Sequence, residues 1–298
     1  MNTPLLLGGE HRSGTTLLSV VLDSHPALDV GPELDFAEPT NLGTLVIETC
    51  RLLREGDPRV LGPGTDTNDP AYYDVAHFVK QCERYGIPPA TLSDLVEQQI
   101  AQDGRDIVAL RDRCRLLDRI GKFKMATTGK LTWGIKLQRK IQDVDRYAQI
   151  FPGSRFIHII RDGRDVAASH LRTVPDWGYR SIDDTAYKWA NLIEATRLRA
   201  PAQRYHEIRY EDLVGEPEKA CRALCDFLEI PFASQMLQHH LVDHTLHAHD
   251  WSHPSSEATK NPLSEAPVGR YRHDLTAEQI ADFENIASGT LRTLGYAV

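Results

Sequence analysis

Residues 5–18 read Leu5-Leu-Leu-Gly-Gly-Glu-His-Arg-Ser-Gly-Thr-Thr-Leu-Leu18, an apolar run that enters a glycine-bearing turn and leaves it as a helix. Residues 4–8 read as a buried strand. Over 14–24, Leu17, Leu18, Val21 and Leu22 recur on one helical face. Gly9 and Gly14 stand at the spacing of the phosphate-binding loop G-x-x-x-x-G-K-[ST], whose backbone N–H groups hold a phosphate at a helix N-terminus. Position 15 is threonine, where a nucleoside triphosphatase carries the lysine that reaches the β and γ phosphates. The cation stands three residues earlier, at Arg12, whose planar fork can pair two donors with an anionic oxygen. Ser13, Gly14, Thr15 and Thr16 can add N–H groups and hydroxyls. The competing reading is an ordinary strand-to-helix turn with a surface arginine.

Outward from this loop, short apolar strands alternate with helices. Residues 131–136, 155–160 (Arg155-Phe-Ile-His-Ile-Ile160) and 204–208 read as strands. Residues 141–150, 162–171, 183–199 and 217–229 read as helices, the last with Pro217 in its first turn. Thr276 and Gln279 form a capping box that starts a C-terminal helix. Residues 25–40 read as a polar, proline-containing loop and 41–54 as a helix. Residues 75–120 read as helical, broken at 86–89 and at Gly104. The alternation predicts an α/β fold of three layers (α/β/α) with a central parallel sheet and a P-loop-like start. Ligands then sit at the carboxyl ends of the strands. One domain over 1–298 is expected, with a helical insertion at about 41–125 and a His-rich, lid-like segment at about 236–268.

The net charge of −8 argues against a broad nucleic-acid face, so no nucleic-acid partner is expected. No apolar run approaches 18 residues, and the opening MNTPLLLGG is too short for a signal peptide. No membrane partner and a cytoplasmic location are therefore expected. The 5 cysteines are scattered and read as reduced, buried thiols. Oligomeric state is not legible.

A second anion site is suggested by Arg161-Asp-Gly-Arg-Asp-Val-Ala-Ala-Ser169. Arg161 stands at the carboxyl end of a buried strand, and Ser169 lies about two turns into the next helix. An arginine and a hydroxyl so placed suit a phosphate. The alternative is an ion pair of Arg161 with Asp162 or Asp165. Two anion sites on one sheet fit a nucleotide charged at both ends, such as 3′-phosphoadenosine-5′-phosphosulfate (PAPS). RSGTTLL, LDSHP, GPE, RDGRDVAAS and YEDLVGEPEKACRALCDFLEIPF, in that order, resemble the PAPS-dependent sulfotransferases. The resemblance is nearest the branch holding the tyrosylprotein sulfotransferases and bacterial relatives. It covers residues 5–39, 131–173, 206–232 and 264–275; nothing in 40–130 or 176–203 matches.

The resemblance implies a sulfotransferase moving a sulfuryl group from PAPS to the hydroxyl of an acceptor. A small molecule is the expected acceptor, 3′-phosphoadenosine-5′-phosphate (PAP) the product, and no metal is required. It implies three catalytic residues: Arg12 on the sulfonate and leaving phosphate, Glu33 as the acceptor base, and Lys136 on the bridging oxygen. It implies donor binding by Arg12, Ser13, Gly14, Thr15 and Thr16 at the 5′ side and by Arg161 and Ser169 at the 3′-phosphate. It also implies that Tyr210 lies beside the nucleotide, that Arg270 closes over it, and that Ser255 is a further serine at the site. The chemistry suits such a set: charge develops on the bridging and sulfonate oxygens, where fixed cations and N–H dipoles act best.

Other residues are open to more than one reading. His25 is a second candidate base, although a structural hydrogen bond in its turn is preferred. His239, His240, His244, His247, His249 and His253 form a lid, a solvated surface or, through His240 and His244, a metal pair. Trp177, Tyr179, Tyr72 and Tyr73 either line an acceptor pocket or pack ordinarily. Two rival functions stand beside the first. A P-loop kinase or NTPase is disfavoured by Thr15 and by the lack of an evident Mg²⁺ aspartate. A non-catalytic PAP(S)-binding relative is disfavoured by Arg12, Glu33 and Lys136 occurring together.

Overall fold

Five parallel strands form one sheet in the order β2-β3-β1-β4-β5 in the computed structural model. It describes residues 3–34, 41–61, 72–172, 179, 181–247 and 254–298, with backbone alone at 254 and 255. The strands are β1 (Leu5–Gly8), β2 (Leu28–Glu33), β3 (Thr132–Gln138), β4 (Arg155–Ile160) and β5 (Tyr205–Arg209). The chain runs from β1 out to β2, returns through β3, then adds β4 and β5 on the far side of β1. That reversal beside β1 opens a crevice at the strands' carboxyl ends.

The tripeptide Leu5–Leu7 is 1%, 0% and 0% exposed, as an apolar run in a doubly covered parallel sheet must be. The two-residue period sends Leu6 to one face and Leu5 and Leu7 to the other. On the Leu6 face, Trp133, Ile135 and Phe156 pack under the helices α2 (Leu42–Glu55), α3 (Tyr73–Arg84), α4 (Pro89–Asp103), α5 (Leu110–Thr128) and α6 (Val144–Ile150). On the opposite face, Leu5, Leu7, Ile157 and Ile159 meet α1 (Thr15–Asp23), α9 (Tyr210–Gly215) and α10 (Pro217–Leu228). A third cluster joins α7 (Gly163–Arg172), α8 (Ile182–Arg199), α12 (Tyr271–Asp274) and α13 (Ala277–Thr293); α11 is Pro254–Ala258. The three-layer α/β/α arrangement with a parallel sheet is thus present.

One element departs from expectation. Residues 25–40 were expected as a loop, yet Leu28–Glu33 is the edge strand β2. Gly31 and Pro32 hide it in the sequence, but an edge strand tolerates proline because one side of its ladder is unpaired. Its pairing with β3 shifts register between Val30 and Glu33. Glu33 therefore stands at the end of a strand, opposite Lys136. The capping box forms as read: Thr276 Oγ1 accepts from Gln279 N at 3.2 Å, and Thr276 N donates to Gln279 Oε1 at 2.9 Å. All five cysteines are free and buried, and burial pushes the Cys50, Cys114 and Cys221 thiols up to about 12.

The contact between α5 and β3 supplies a stability test. A Cβ at Gly121 would lie 2.2 Å from Trp133 Cδ2, and that ring is wholly buried. Gly121→Ala would gain up to ~1 kcal/mol of helix propensity. Overpacking a filled core costs about 1–3 kcal/mol, so the clash should win. The melting temperature is expected to fall by several degrees; an unchanged or raised value would show that α5 does not seat on β3 this closely.

Candidate active site

Between Gly8 and Thr15 the chain reverses in a loop and enters α1, each step fixed by a backbone bond. Ser13 N donates to Glu10 O at 3.1 Å, and Leu18 N to Gly14 O at 3.0 Å. Gly14 has φ 93°, in the left-handed region, and a Cβ there would lie 2.5 Å from Tyr210 Cδ2. The Tyr210 ring thus packs directly on the loop. Arg161 lies over the same ring, 4.6 Å from its centroid. Its guanidinium donates to Arg12 O at 3.2 Å and to Pro267 O at 2.5 Å. Trp189 Nε1 donates to Arg161 O at 3.0 Å and anchors this strand end.

Arg12 Nε donates to Ser169 Oγ at 2.9 Å. The sequence reading put these two residues at opposite ends of a nucleotide; the fold puts them in contact. Burial, then the charges of Arg161 and Arg270, lower the Arg12 pKa. Arg161 thus reaches Arg12 directly, while Arg270, whose Nε donates to Asp274 Oδ2 at 2.6 Å, bears on Arg12 through its charge. The backbone on either side of Arg270 is held by Asp165, whose two carboxylate oxygens accept from Gly269 N at 2.8 Å and Tyr271 N at 2.9 Å. The alternative reading of Arg161 as a structural ion pair is met only at 3.7 Å, by Asp165. Asp162 belongs to Arg164 instead, at 2.7 Å, and Arg164 also reaches Glu284 at 2.6 Å, tying α7 to α13. Ser13 Oγ and Arg161 Nε are buried with no hydrogen-bond partner among the described residues. Buried donors seldom stay unsatisfied, and an anion on the loop would satisfy both. The residues present therefore fit a phosphate-bearing ligand.

On the other side of the loop lie Glu33 and Lys136, at neighbouring strand ends. Lys136 is buried, and its Nζ donates to Thr16 Oγ1 at 3.1 Å. Burial lowers its pKa to about 8, against the favourable charge of Glu33; the charge of Arg84 adds to the lowering. Gln138 Nε2 donates to Glu33 Oε2 at 2.8 Å, and Thr15 Oγ1 donates to Gln138 Oε1 at 2.9 Å. Gln138 was not singled out in the sequence, nor was Glu10. Glu10 is buried, is ion-paired with Arg139, and accepts from the Tyr179 hydroxyl at 2.9 Å. His170 packs on Tyr179 with ring centroids 4.7 Å apart. Its pKa falls to about 4 through burial and then the charges of His11 and Arg12.

The remaining candidates disperse. His25 is buried in its turn, with Nε2 donating to Pro231 O at 2.8 Å and Nδ1 accepting from Ala27 N at 3.0 Å. Both nitrogens are spent on structure. His239 and His244 are buried, and His244 Nδ1 meets Asp23 Oδ2 at 2.6 Å, so this part of the His-rich segment is pinned to the end of α1. No helix carries His240 and His244 together, since the 3₁₀ turn ends at Leu241. The Tyr72 hydroxyl bonds to Glu48 at 3.0 Å, and Tyr73 is exposed. Trp177, His249, His253 and the Ser255 side chain lie outside the described residues.

The sulfotransferase family model matches residues 4–234. Protein-tyrosine sulfotransferase 1 of Danio rerio is 27% identical over 240 residues, covering 79% of this chain and 55% of that protein. The chain thus spans about half of that relative's length. Among solved structures, the sulfotransferase domain of the curacin biosynthetic pathway superposes with TM-score 0.62 at 19% identity, covering 100% of this chain and 99% of that one. The sulfotransferase domain of the Synechococcus PCC 7002 olefin synthase gives 0.63 at 20% identity, covering 100% and 97%.

Proposed function

The chain belongs to the sulfotransferase family, and from that premise we propose that it transfers a sulfuryl group from PAPS to a phenolic hydroxyl. The observation that carries the donor reading is the meeting of Arg161 with Arg12 at a loop where Ser13 Oγ and Arg161 Nε are buried and unsatisfied, with the charge of Arg270 bearing on it. Thr15 in place of a P-loop lysine turns the reading away from ATP and GTP. Bound PAPS supplies an activated sulfuryl group. The acceptor oxygen forms its bond to sulfur as the bond from sulfur to the bridging oxygen breaks, and PAP departs with that oxygen. Glu33 takes the acceptor proton. Lys136 and the loop N–H groups face the charge that grows on the bridging oxygen. The relatives' naming for protein tyrosine supports a phenol, carried on a peptide or on a small molecule, which is narrower than the small-molecule hydroxyl expected from the sequence. Incubation with PAPS and a panel of tyrosine peptides, simple phenols and aliphatic alcohols tests the reading. PAP release that depends on a phenol supports it. Release that depends only on aliphatic alcohols overturns the acceptor class, and phosphoryl transfer from ATP overturns the reaction.

Lys136 makes the reaction pH-dependent. Its ordinary value is 10.5 and its folded value about 8. Between these, the unfolded chain binds more protons, so this group's contribution to stability rises with pH. Its use in catalysis falls over the same interval, because the ammonium is lost. Because kcat/KM reports the free enzyme, it is expected to decline above about pH 8 in the wild type. In Lys136→Arg that alkaline limb should vanish, whatever the height of the plateau, since guanidinium does not titrate there. A limb unmoved by Lys136→Arg would assign it to another group.

A further inference from the structure

We infer that Gln138 is a positioning residue for this reaction, bracing the Glu33 carboxylate against the phosphate loop. The inference rests on Glu33 acting as the acceptor base. Gln138 ties the Glu33 strand end to both ends of the phosphate loop. Its carbonyl accepts from Gly9 N at 3.2 Å, at the start of the loop. Its side chain spans Glu33 and Thr15. An ionised carboxylate can only accept, so the amide must turn its NH₂ to Glu33. The amide oxygen then faces Thr15, whose hydroxyl spends its only hydrogen there. Thr15 thus offers a phosphate its backbone N–H and not its hydroxyl hydrogen, contrary to the sequence reading.

The backbone agrees with a placed residue. Gln138 has φ 45° and ψ −127°, a region that glycine enters freely and a glutamine does not. A side chain kept in such a conformation is held by its surroundings. The brace leaves Glu33 Oε1 with no hydrogen bond among the described residues, and that oxygen is the one left to meet an acceptor hydroxyl. One glutamine thereby fixes the acceptor base relative to the donor loop, and a base misplaced by about 1 Å loses much of its effect.

Gln138→Gly tests this, because glycine keeps the backbone conformation and the Gly9 bond while deleting the brace. Its kcat is expected to fall by between about 10- and 100-fold, with the KM for PAPS near the wild-type value. In a Glu33→Gln background the same change should cost nothing further, since the brace acts through that carboxylate. Thr15→Val, which removes only the hydroxyl, should also lower kcat while PAP affinity holds. Equal losses in both backgrounds, or full kcat in Gln138→Gly, would overturn the inference. So would a large loss of PAP affinity in Thr15→Val, which would put the hydroxyl on the phosphate. A wild type that releases no PAP with any acceptor overturns the functional reading first, and this inference with it.

Discussion

Glu33→Gln is expected to lower turnover by ~10²–10⁴-fold, the usual worth of a general base, while PAP binds as tightly as to the wild type. The substitution is nearly isosteric and sits at a strand end, opposite Lys136. Gln138 can still donate to an amide oxygen at position 33, so its 2.8 Å bond has a neutral replacement. The loss should therefore fall on the chemical step and spare folding and donor binding. Rapid-quench measurement of a single turnover from bound PAPS separates these. A slow chemical step with unchanged PAP affinity supports the assignment. A variant with near-wild-type turnover across the pH range would remove Glu33 from the base role, and His25, whose nitrogens are both engaged in its turn, could not replace it.

The second large effect is expected at Arg161. Arg161→Ala deletes a buried guanidinium that holds Arg12 O and Pro267 O, lies over Tyr210 and carries an unsatisfied Nε. Charge-assisted hydrogen bonds are worth ~1.5–3 kcal/mol each, so PAP affinity should drop by at least about 10-fold for each one lost. At saturating PAPS the turnover should suffer much less than in Glu33→Gln, because Arg161 lies on the Tyr210 side of the loop, apart from the Glu33–Lys136 pair. Arg161→Lys keeps the charge but not the planar fork, and its affinity should fall between the two. An Arg161→Ala protein that melts like the wild type and binds PAP normally would contradict the donor site.

Much of this arrangement was open to inspection in the chain itself. Leu5–Leu7 and Arg155–Ile160 are legible because strands buried on both faces read as unbroken apolar runs. The loop is legible because Gly14 must be glycine. β2 was not, since Gly31 and Pro32 carry the signals of a turn and only its edge position tolerates them. The divergent fates of Arg161 and Arg164 were likewise hidden. Both follow from which carboxylates the fold brings near, and Asp162 goes to Arg164. The histidines at 239 and 244 sit in a polar stretch that the sequence offered as a lid, a solvated surface or a metal pair, yet both are buried. Gln138 gave no signal at all. Its role arises where the ends of β1, β2 and β3 meet, and a glutamine after a strand is commonplace in sequence.

The most direct test of the donor site is calorimetric titration of the purified protein with PAP, beside ATP and ADP with Mg²⁺. Binding of PAP in the micromolar range or tighter, weak binding of ATP, and loss of the PAP signal in Arg161→Ala are the predicted results. A preference for ATP with Mg²⁺, or no PAP binding at all, would contradict the assignment of Arg12, Arg161 and Arg270 to a PAPS site.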